Sequence, residues 1–453
     1  MSKSKFYQEI YRPQFHFTAE KDWLNDPNGL VYYKGEYHLF FQHTPGSLSH
    51  GPNTWGHAVS TDLVHWKQIE HAIEPDDYGW IWSGSAVVDW KDSTGLKKED
   101  EETIVAIYTT GGYGEPSNPC VQSIAYSNDR GRTWTKYENN PVLKHIVANN
   151  RDPKVIWHEP TEKWVMALFL DGNVYALFES PNLKEWTGMS VVHLPGAGEC
   201  PDIFELPVDD DQDNTKWVFW GANGNHYIGT FDGHNFKIES DVLRADWGAN
   251  FYAAQTWSDI PQSDGRRIQI AWMGGGKYPD MPFNQQMSFP CELTLRTTPE
   301  GIRMYRQPVK ELENIHKKEH SWDTQTLKPG ENLLSGISGE LFDIRAEIEL
   351  GNATEVGFTA RGEKIRYNVA DKQISCLGRS ATLEPLQNKI KLQILVDRTS
   401  IEVFGNDGRI SMSSCFLPEL ENENLGIYAF GGSAIVVSMK VHELCSAWRQ
   451  SYN

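Results

Sequence analysis

Ser60-Thr61-Asp62-Leu63-Val64-His65-Trp66, Ser127-Asn128-Asp129-Arg130-Gly131-Arg132-Thr133-Trp134 and Ser180-Pro181-Asn182-Leu183-Lys184-Glu185-Trp186 are three versions of one unit: a strand end in Ser, a polar turn, then Trp. Thr230-Phe231-Asp232-Gly233-His234-Asn235-Phe236 is a looser fourth version. The copies recur at roughly 50 to 70 residues, room for one four-stranded sheet each. Sheets repeated at that period protect their edges by closing around an axis, as propeller blades do. A solenoid needs a tighter and more regular period. Tyr11 to about Arg306 therefore reads as a β-propeller, with five blades expected.

The surrounding sequence agrees. Gly29-Leu30-Val31-Tyr32-Tyr33-Lys34-Gly35-Glu36-Tyr37-His38-Leu39-Phe40-Phe41 reads as two strands around a Lys-Gly turn. Further strands are expected at 103–109, 164–169, 174–179, 217–220 and 267–273. Long amphipathic helices are missing, and the best helical candidate is a short piece near Pro308 to Lys317. Beyond it Trp becomes rare and strands alternate polar with apolar residues, as in Lys389-Ile390-Lys391-Leu392-Gln393-Ile394-Leu395-Val396. Many short alternating strands in that stretch read as a β-sandwich with a structural role. The expected organisation is all-β: a propeller over 1–306, a linker over 307–320 and a C-terminal β-sandwich over 321–453.

Acidic residues outnumber basic ones, 61 to 42, for a formal charge of −19. That disfavours nucleic acid and anionic membranes as partners, since both want a basic face. No apolar stretch approaches the roughly 18 residues that span a bilayer. Met1 to Phe6 lacks the apolar core of a secretory signal, so the cytoplasm is expected, or secretion if a signal has been removed. Cys120, Cys200, Cys291, Cys376, Cys415 and Cys445 are scattered without metal-ligand spacing, which reads as reduced thiols. The 17 tryptophans suit either a β-rich core or stacking on sugar faces.

Three acidic residues beside expected strand ends stand apart from the rest. Asp26 lies in Trp23-Leu24-Asn25-Asp26-Pro27-Asn28-Gly29. Held rigidly between Asn25 and Pro27 it suits a nucleophile, although the run alone reads as an Asx-type turn. Asp152 lies in Arg151-Asp152-Pro153, where the adjacent Arg is expected to keep it ionised, as a transition-state stabiliser or hydroxyl-binding group requires. Glu199 lies in Gly198-Glu199-Cys200-Pro201-Asp202, among apolar and neutral neighbours that would keep a general acid protonated. Glycoside hydrolysis needs such a pair, one carboxyl protonated and one ionised.

Taken in order with Trp82-Ser83-Gly84-Ser85-Ala86, these runs resemble glycoside hydrolase family 32, which includes invertases, inulinases and levanases. Asn250-Phe251-Tyr252-Ala253-Ala254-Gln255 and Asp397-Arg398-Thr399-Ser400-Ile401-Glu402-Val403-Phe404 extend the likeness to the whole chain. The resemblance implies a five-bladed propeller with an appended sandwich, and a retaining two-step mechanism. Asp26 would be the nucleophile, Glu199 the acid and base, and Asp152 the stabiliser, with Arg151 beside it. Asn25, Gln42, Trp82 and Ser83 would line the pocket for the terminal fructose. No metal or cofactor is implied.

The chain departs from the pattern at His50, where the family usually has Trp, and in Gly274-Gly275-Gly276, where an aromatic residue is common. Asn250 stands for an acidic residue and Cys291 for an Arg. Either the pocket is wider and more polar, with His50 binding a hydroxyl and the glycines mobile or closely approached by substrate, or Trp55, Trp80 or Trp247 fills the space. The expected activity is exo-acting hydrolysis of terminal β-D-fructofuranosyl residues of fructans or fructo-oligosaccharides. Alternatives are a sucrose or sucrose-6-phosphate hydrolase, a fructosyltransferase using the same three carboxylates, and a non-catalytic fructan-binding propeller. Oligomeric state stays open.

Overall fold

The first hairpin of the computed structural model, which describes residues 6–112 and 118–448, sets the pattern for the N-terminal half. β1 (Asp22–Tyr33) and β2 (Glu36–Thr44) pair antiparallel up to Tyr33 and Glu36. Lys34 and Gly35 between them have φ of 45° and 91°, the type I′ turn whose twist matches its strands. β3 (Thr54–Ser60) and β4 (Lys67–Ile73) complete the meander. The same unit is built by β5 (Ile81–Asp89), β6 (Thr103–Thr110), β7 (Val121–Ser127) and β8 (Thr135–Lys136). β9 (Arg151–His158), β10 (Lys163–Asp171), β11 (Val174–Ser180) and β12 (Thr187–His193) form a third. β13 (Asp202–Val208), β14 (Asp211–Trp220), β15 (Asn225–Phe231) and β16 (Phe236–Ile238) form a fourth, with β17 (Leu243–Arg244) added on β15. The fifth consists of β18 (Tyr252–Thr256), β19 (Arg267–Trp272), β21 (Cys291–Thr298) and β22 (Gly301–Pro308), while β20 (Phe283–Asn284) pairs with β1.

The leading strands β1, β5, β9, β13 and β18 are neighbours in turn, and β18 returns to β1. That closure is hydrogen-bonded: Tyr32 N donates to Ser258 O, and Ser258 N to Leu30 O. The result is a five-bladed propeller.

The repeated sequence unit is the turn between the third and fourth strands of a blade. Asp62, Asp129 and Asn182 each accept two backbone N–H groups with one side-chain oxygen. The Trp that closes each copy then folds back, its indole N–H donating to the carbonyl of Leu63, Gly131 or Leu183. Those three residues take left-handed φ of 64°, 75° and 61°, a strained conformation for leucine that the covering ring holds in place. The fourth copy keeps the Asx turn at Asp232 but ends in Phe236. The fifth blade uses a two-residue hairpin between Thr298 and Gly301 instead, so no fifth copy is visible in the sequence.

Beyond residue 308 a seven-stranded and a five-stranded sheet enclose one core that includes Phe342, Phe358, Tyr367 and Ile394. Within 307–320, Lys310–Ile315 is a short 3-10 helix and His316–Trp322 is already a strand of the larger sheet. The expected helix near Pro308 is thus only two 3-10 turns.

A buried polar clamp joins the two parts. His16 Nδ1 and Nε2 lie 2.8 Å from Asp397 Oδ2 and 2.8 Å from Glu402 Oε2, and none of the three side chains touches solvent. Asp397 also accepts the backbone N–H groups of Gln14, Phe15 and His16. Glu402 accepts from Phe289 N and Ser413 Oγ. Burial opposes a charge on His16, but its two carboxylate partners outweigh that and push its pKa up to about 9.

Candidate active site

All three sequence-selected carboxylates sit where the leading strands begin. A bulge in β1 between Leu24 and Pro27 takes Asn25 and Asp26 out of the ladder; Pro27 lacks an N–H to donate, and the bulge re-aims the side chain before it. Asp152 is the second residue of β9, with a left-handed φ of 63°. Glu199 lies in the loop leading into β13, three residues before that strand starts.

Cys200 holds two of them together. Its N–H and Sγ lie 3.2 and 3.4 Å from Asp152 Oδ2, and Sγ lies 3.7 Å from Asp26 Oδ2. Arg151 donates from Nε (2.9 Å) and Nη2 to Glu199 Oε2, and Tyr252 OH donates to Glu199 Oε1 at 2.9 Å. Arg151 Nε is 3.6 Å from Asp152 Oδ2. One guanidinium thus serves two acids.

Asp26 ends a relay of amides and hydroxyls. Trp23 Nε1 donates to Asn25 Oδ1, and Asn25 Nδ2 donates to both Asp26 Oδ1 and Gln42 Oε1. Gln42 Nε2 donates to Ser83 Oγ, which donates to Asp26 Oδ2 at 2.6 Å. Asn25, Gln42 and Ser83 are all buried. With every donor committed, Asp26 has a single orientation.

Burial raises the Asp26 pKa to about 6; the Ser83 hydrogen bond resists that and the Glu199 charge adds to it. Asp152 is also raised, first by burial, and the charges of Glu199 and Asp26 add to the rise against Arg151. Two sequence expectations are therefore corrected. Arg151 lowers the Asp152 pKa but does not hold it in the ordinary carboxylate range, because burial beside two other carboxylates outweighs it. Nor are Glu199's neighbours apolar, because folding brings Arg151 and Tyr252 against it from 48 and 53 residues away.

The rim is aromatic. Trp23, Trp80, Trp82, Tyr252 and Trp272 are half-buried. Trp80 and Trp82 stack, Trp23 meets Trp272 edge-on at 6.1 Å, and Trp82 Nε1 donates to Gly111 O. His50 is exposed at this rim, its ring 5.9 to 6.4 Å from those of Trp82, Trp80 and Trp23. Its Nε2 lies 3.1 Å from Asn53 Nδ2, which also donates to Gln42. Of the three tryptophans considered as substitutes, only Trp80 lies beside His50. Trp55 is in the propeller core and Trp247 packs against the sandwich.

The glycine run is pinned. Asn250 Nδ2 donates to Gly274 O, and Gly275 N donates to Gln285 Oε1. A Cβ on Gly274 would strike the Trp272 indole, and one on Gly276 the Tyr278 hydroxyl. The chain's own aromatics, not mobility, account for glycine there. Asn250 Oδ1 accepts from Cys415 N of the sandwich, and Cys291 is a core residue.

Sequence reading missed Thr109 and Gln122, which leave no motif. Thr109 Oγ1 accepts from the strained Asp152 N–H at 3.0 Å and donates to Gln122 Oε1 at 2.6 Å. Thr109→Val keeps the shape and removes that acceptor. We expect kcat to fall about tenfold, the equivalent of one net hydrogen bond, with KM changed less. Steady-state kinetics beside an unchanged melting curve is the check.

Carboxylates gathered at a propeller mouth, under an aromatic rim, are the equipment of an enzyme that cleaves sugar linkages by paired carboxyl chemistry. Residues 16–308 match the Glycosyl hydrolases family 32 N-terminal domain, and residues 309–443 match the family 32 C-terminal domain. The chain belongs to glycosyl hydrolase family 32. It is 42% identical to a levanase of Bacillus subtilis (strain 168) over 98% of its own length and 72% of that protein's. It is 37% identical to a levanase of Bacillus sp. (strain L7) over 99% of its length, and spans about half of that relative, 53%. The crystal structure of exo-inulinase from Aspergillus awamori superposes with a TM-score of 0.89 at 28% identity, covering 98% of this chain and all of that one.

Proposed function

We propose that the protein is a retaining, exo-acting β-fructosidase that removes terminal β-D-fructofuranosyl residues from fructans or fructo-oligosaccharides. The observation that carries this is the convergence of Asp26, Asp152 and Glu199, through Cys200 and Arg151, at one end of the propeller. The levanase and exo-inulinase names of its relatives supply the substrate class.

Asp26, aligned by Ser83 and Asn25, attacks the anomeric carbon while Glu199 protonates the departing oxygen. Asp152 accepts the sugar's hydroxyls and stabilises the positive charge that develops on the ring. Once it has given up that proton Glu199 is a carboxylate stabilised by the donors Arg151 and Tyr252. In the second step it takes a proton from water, whose oxygen bonds the anomeric carbon as the bond to Asp26 breaks and fructose is released. The aromatic rim shields the site and faces the sugar's C–H surfaces. We also place the enzyme in the cytoplasm, a reading supported by six cysteines that form no disulfide among the described residues. Cell fractionation tests that.

Retention is tested by NMR immediately after mixing enzyme with sucrose, inulin or levan. The first product is expected to be β-fructofuranose, released singly; α-fructofuranose would refute the nucleophile. New fructosides at low conversion would move the chain to the transferases.

A further inference from the structure

The end of the propeller opposite the three carboxylates has a cavity of about 880 Å³ between the fourth and fifth blades. There β13 and β21 meet only at Val208 and Leu295. Glu205, Asp210, Gln212, Gln262, Glu292 and Thr294 line it, a set rich in acceptors for hydroxyl groups.

Trp90 is hydrogen-bonded to a residue that lines this cavity. It is 53% exposed, the only exposed tryptophan of the 17. It is also held rigidly. Its indole N–H donates at 2.8 Å to Oδ1 of Asp259, a cavity residue whose Oδ2 accepts Val88 N from the second blade. The Tyr33 ring, 5.7 Å away, backs one side. At the same end of the third blade the half-buried Trp157 ring carries Lys91 Nζ 4.3 Å above it. A protein partner would want a contiguous apolar patch. Here a fixed indole face adjoins polar, hydroxyl-matching walls, the pairing that suits a sugar ring with one C–H face and an edge of hydroxyls.

We propose that this end is a second carbohydrate-binding site, which holds a fructan chain away from the bond being cut. The inference rests on the fructan reading above. A leading strand of nine residues runs about 30 Å, so sucrose cannot occupy both ends at once. A polymer can, and its chain end then stays at raised local concentration near Asp26.

The test uses the full chain. Asp26→Asn protein is run in native gels containing levan, with and without saturating fructose, alone and combined with Trp90→Ala, Gln262→Ala or Asp210→Asn. Levan is expected to retard Asp26→Asn protein even in fructose, and the added substitutions to abolish that retardation. On the otherwise unaltered enzyme, Trp90→Ala is expected to raise KM for levan about fivefold and leave kcat/KM for sucrose unchanged. Retardation unaffected by all three substitutions, or lost entirely in fructose, overturns the proposal. Should the unaltered enzyme leave levan uncut yet levan still retard it through Trp90, the fructan-hydrolase reading fails and the site stands.

Discussion

Asp26→Asn is expected to lose turnover by about 10⁴-fold or more, with the fold and melting temperature unchanged. The amide keeps the shape, and its oxygen can still accept from Ser83, so the relay through Gln42 survives. What disappears is the electron pair that would bond the anomeric carbon. Activity within tenfold of the unaltered enzyme would sink the assignment. Glu199→Gln separates the second role. It should be most damaging on sucrose and fructans, whose leaving groups need a proton, and mild on an aryl β-fructofuranoside, whose leaving group does not. The pH profile follows from the Asp26 environment. Because the nucleophile must be ionised and its pKa is raised to about 6, kcat/KM should rise with pH through about 6, an acid limb that Asp26→Asn removes.

Glu402→Ala is expected to cost about 3 to 5 kcal/mol of stability, although it lies far from the carboxylates that cut. The substitution leaves the Nε2–H of the His16 imidazolium and the Phe289 N–H short of an acceptor in a region closed to water, while Ser413 keeps Asp246. The sign of the pH effect is set by His16, whose pKa rises on folding from 6.5 to about 9. Its contribution is complete below about pH 6.5 and disappears as pH rises through about 9, roughly 3 kcal/mol in all. Asp397 and Glu402, whose pKa values are lowered, contribute in the opposite sense, losing their share as pH falls through the carboxylate range. Thermal melting from pH 6 to 10 should show the decline. A His16→Leu variant should be flat over that range; an equal slope in both would refute the role given to His16.

Local chemistry is what the sequence made legible. The blade turns were readable because an Asx residue, a left-handed residue and a Trp act within seven positions of each other. The hairpin at Lys34-Gly35 was readable for the same reason. The fifth blade had to be inferred, since its outer hairpin at Thr298 uses different turn chemistry. In the site, the carboxylates were identified by motif order, but their surroundings were misjudged from sequence neighbours. Asp152 sits next to Arg151 in the chain and still has a raised pKa; Glu199 has quiet sequence neighbours and yet meets Arg151. Burial and long-range approach decided both. The strand Ser400–Gly405 and the Asp397 before it looked merely familial, because His16, the partner that explains them, lies 381 and 386 positions away.

That separation bears on how the protein is made. His16 leaves the ribosome well over 300 residues ahead of the two acids that neutralise it. At about 5 to 20 residues per second, the wait is on the order of 20 to 80 seconds. Until then the segment leading into β1 has a histidine with no acid beside it, although Ser258, which closes the ring, has arrived well before Asp397. The ring can therefore close before the clamp forms, and synthesis arrested before Asp397 yields a propeller whose entry segment is still unclamped.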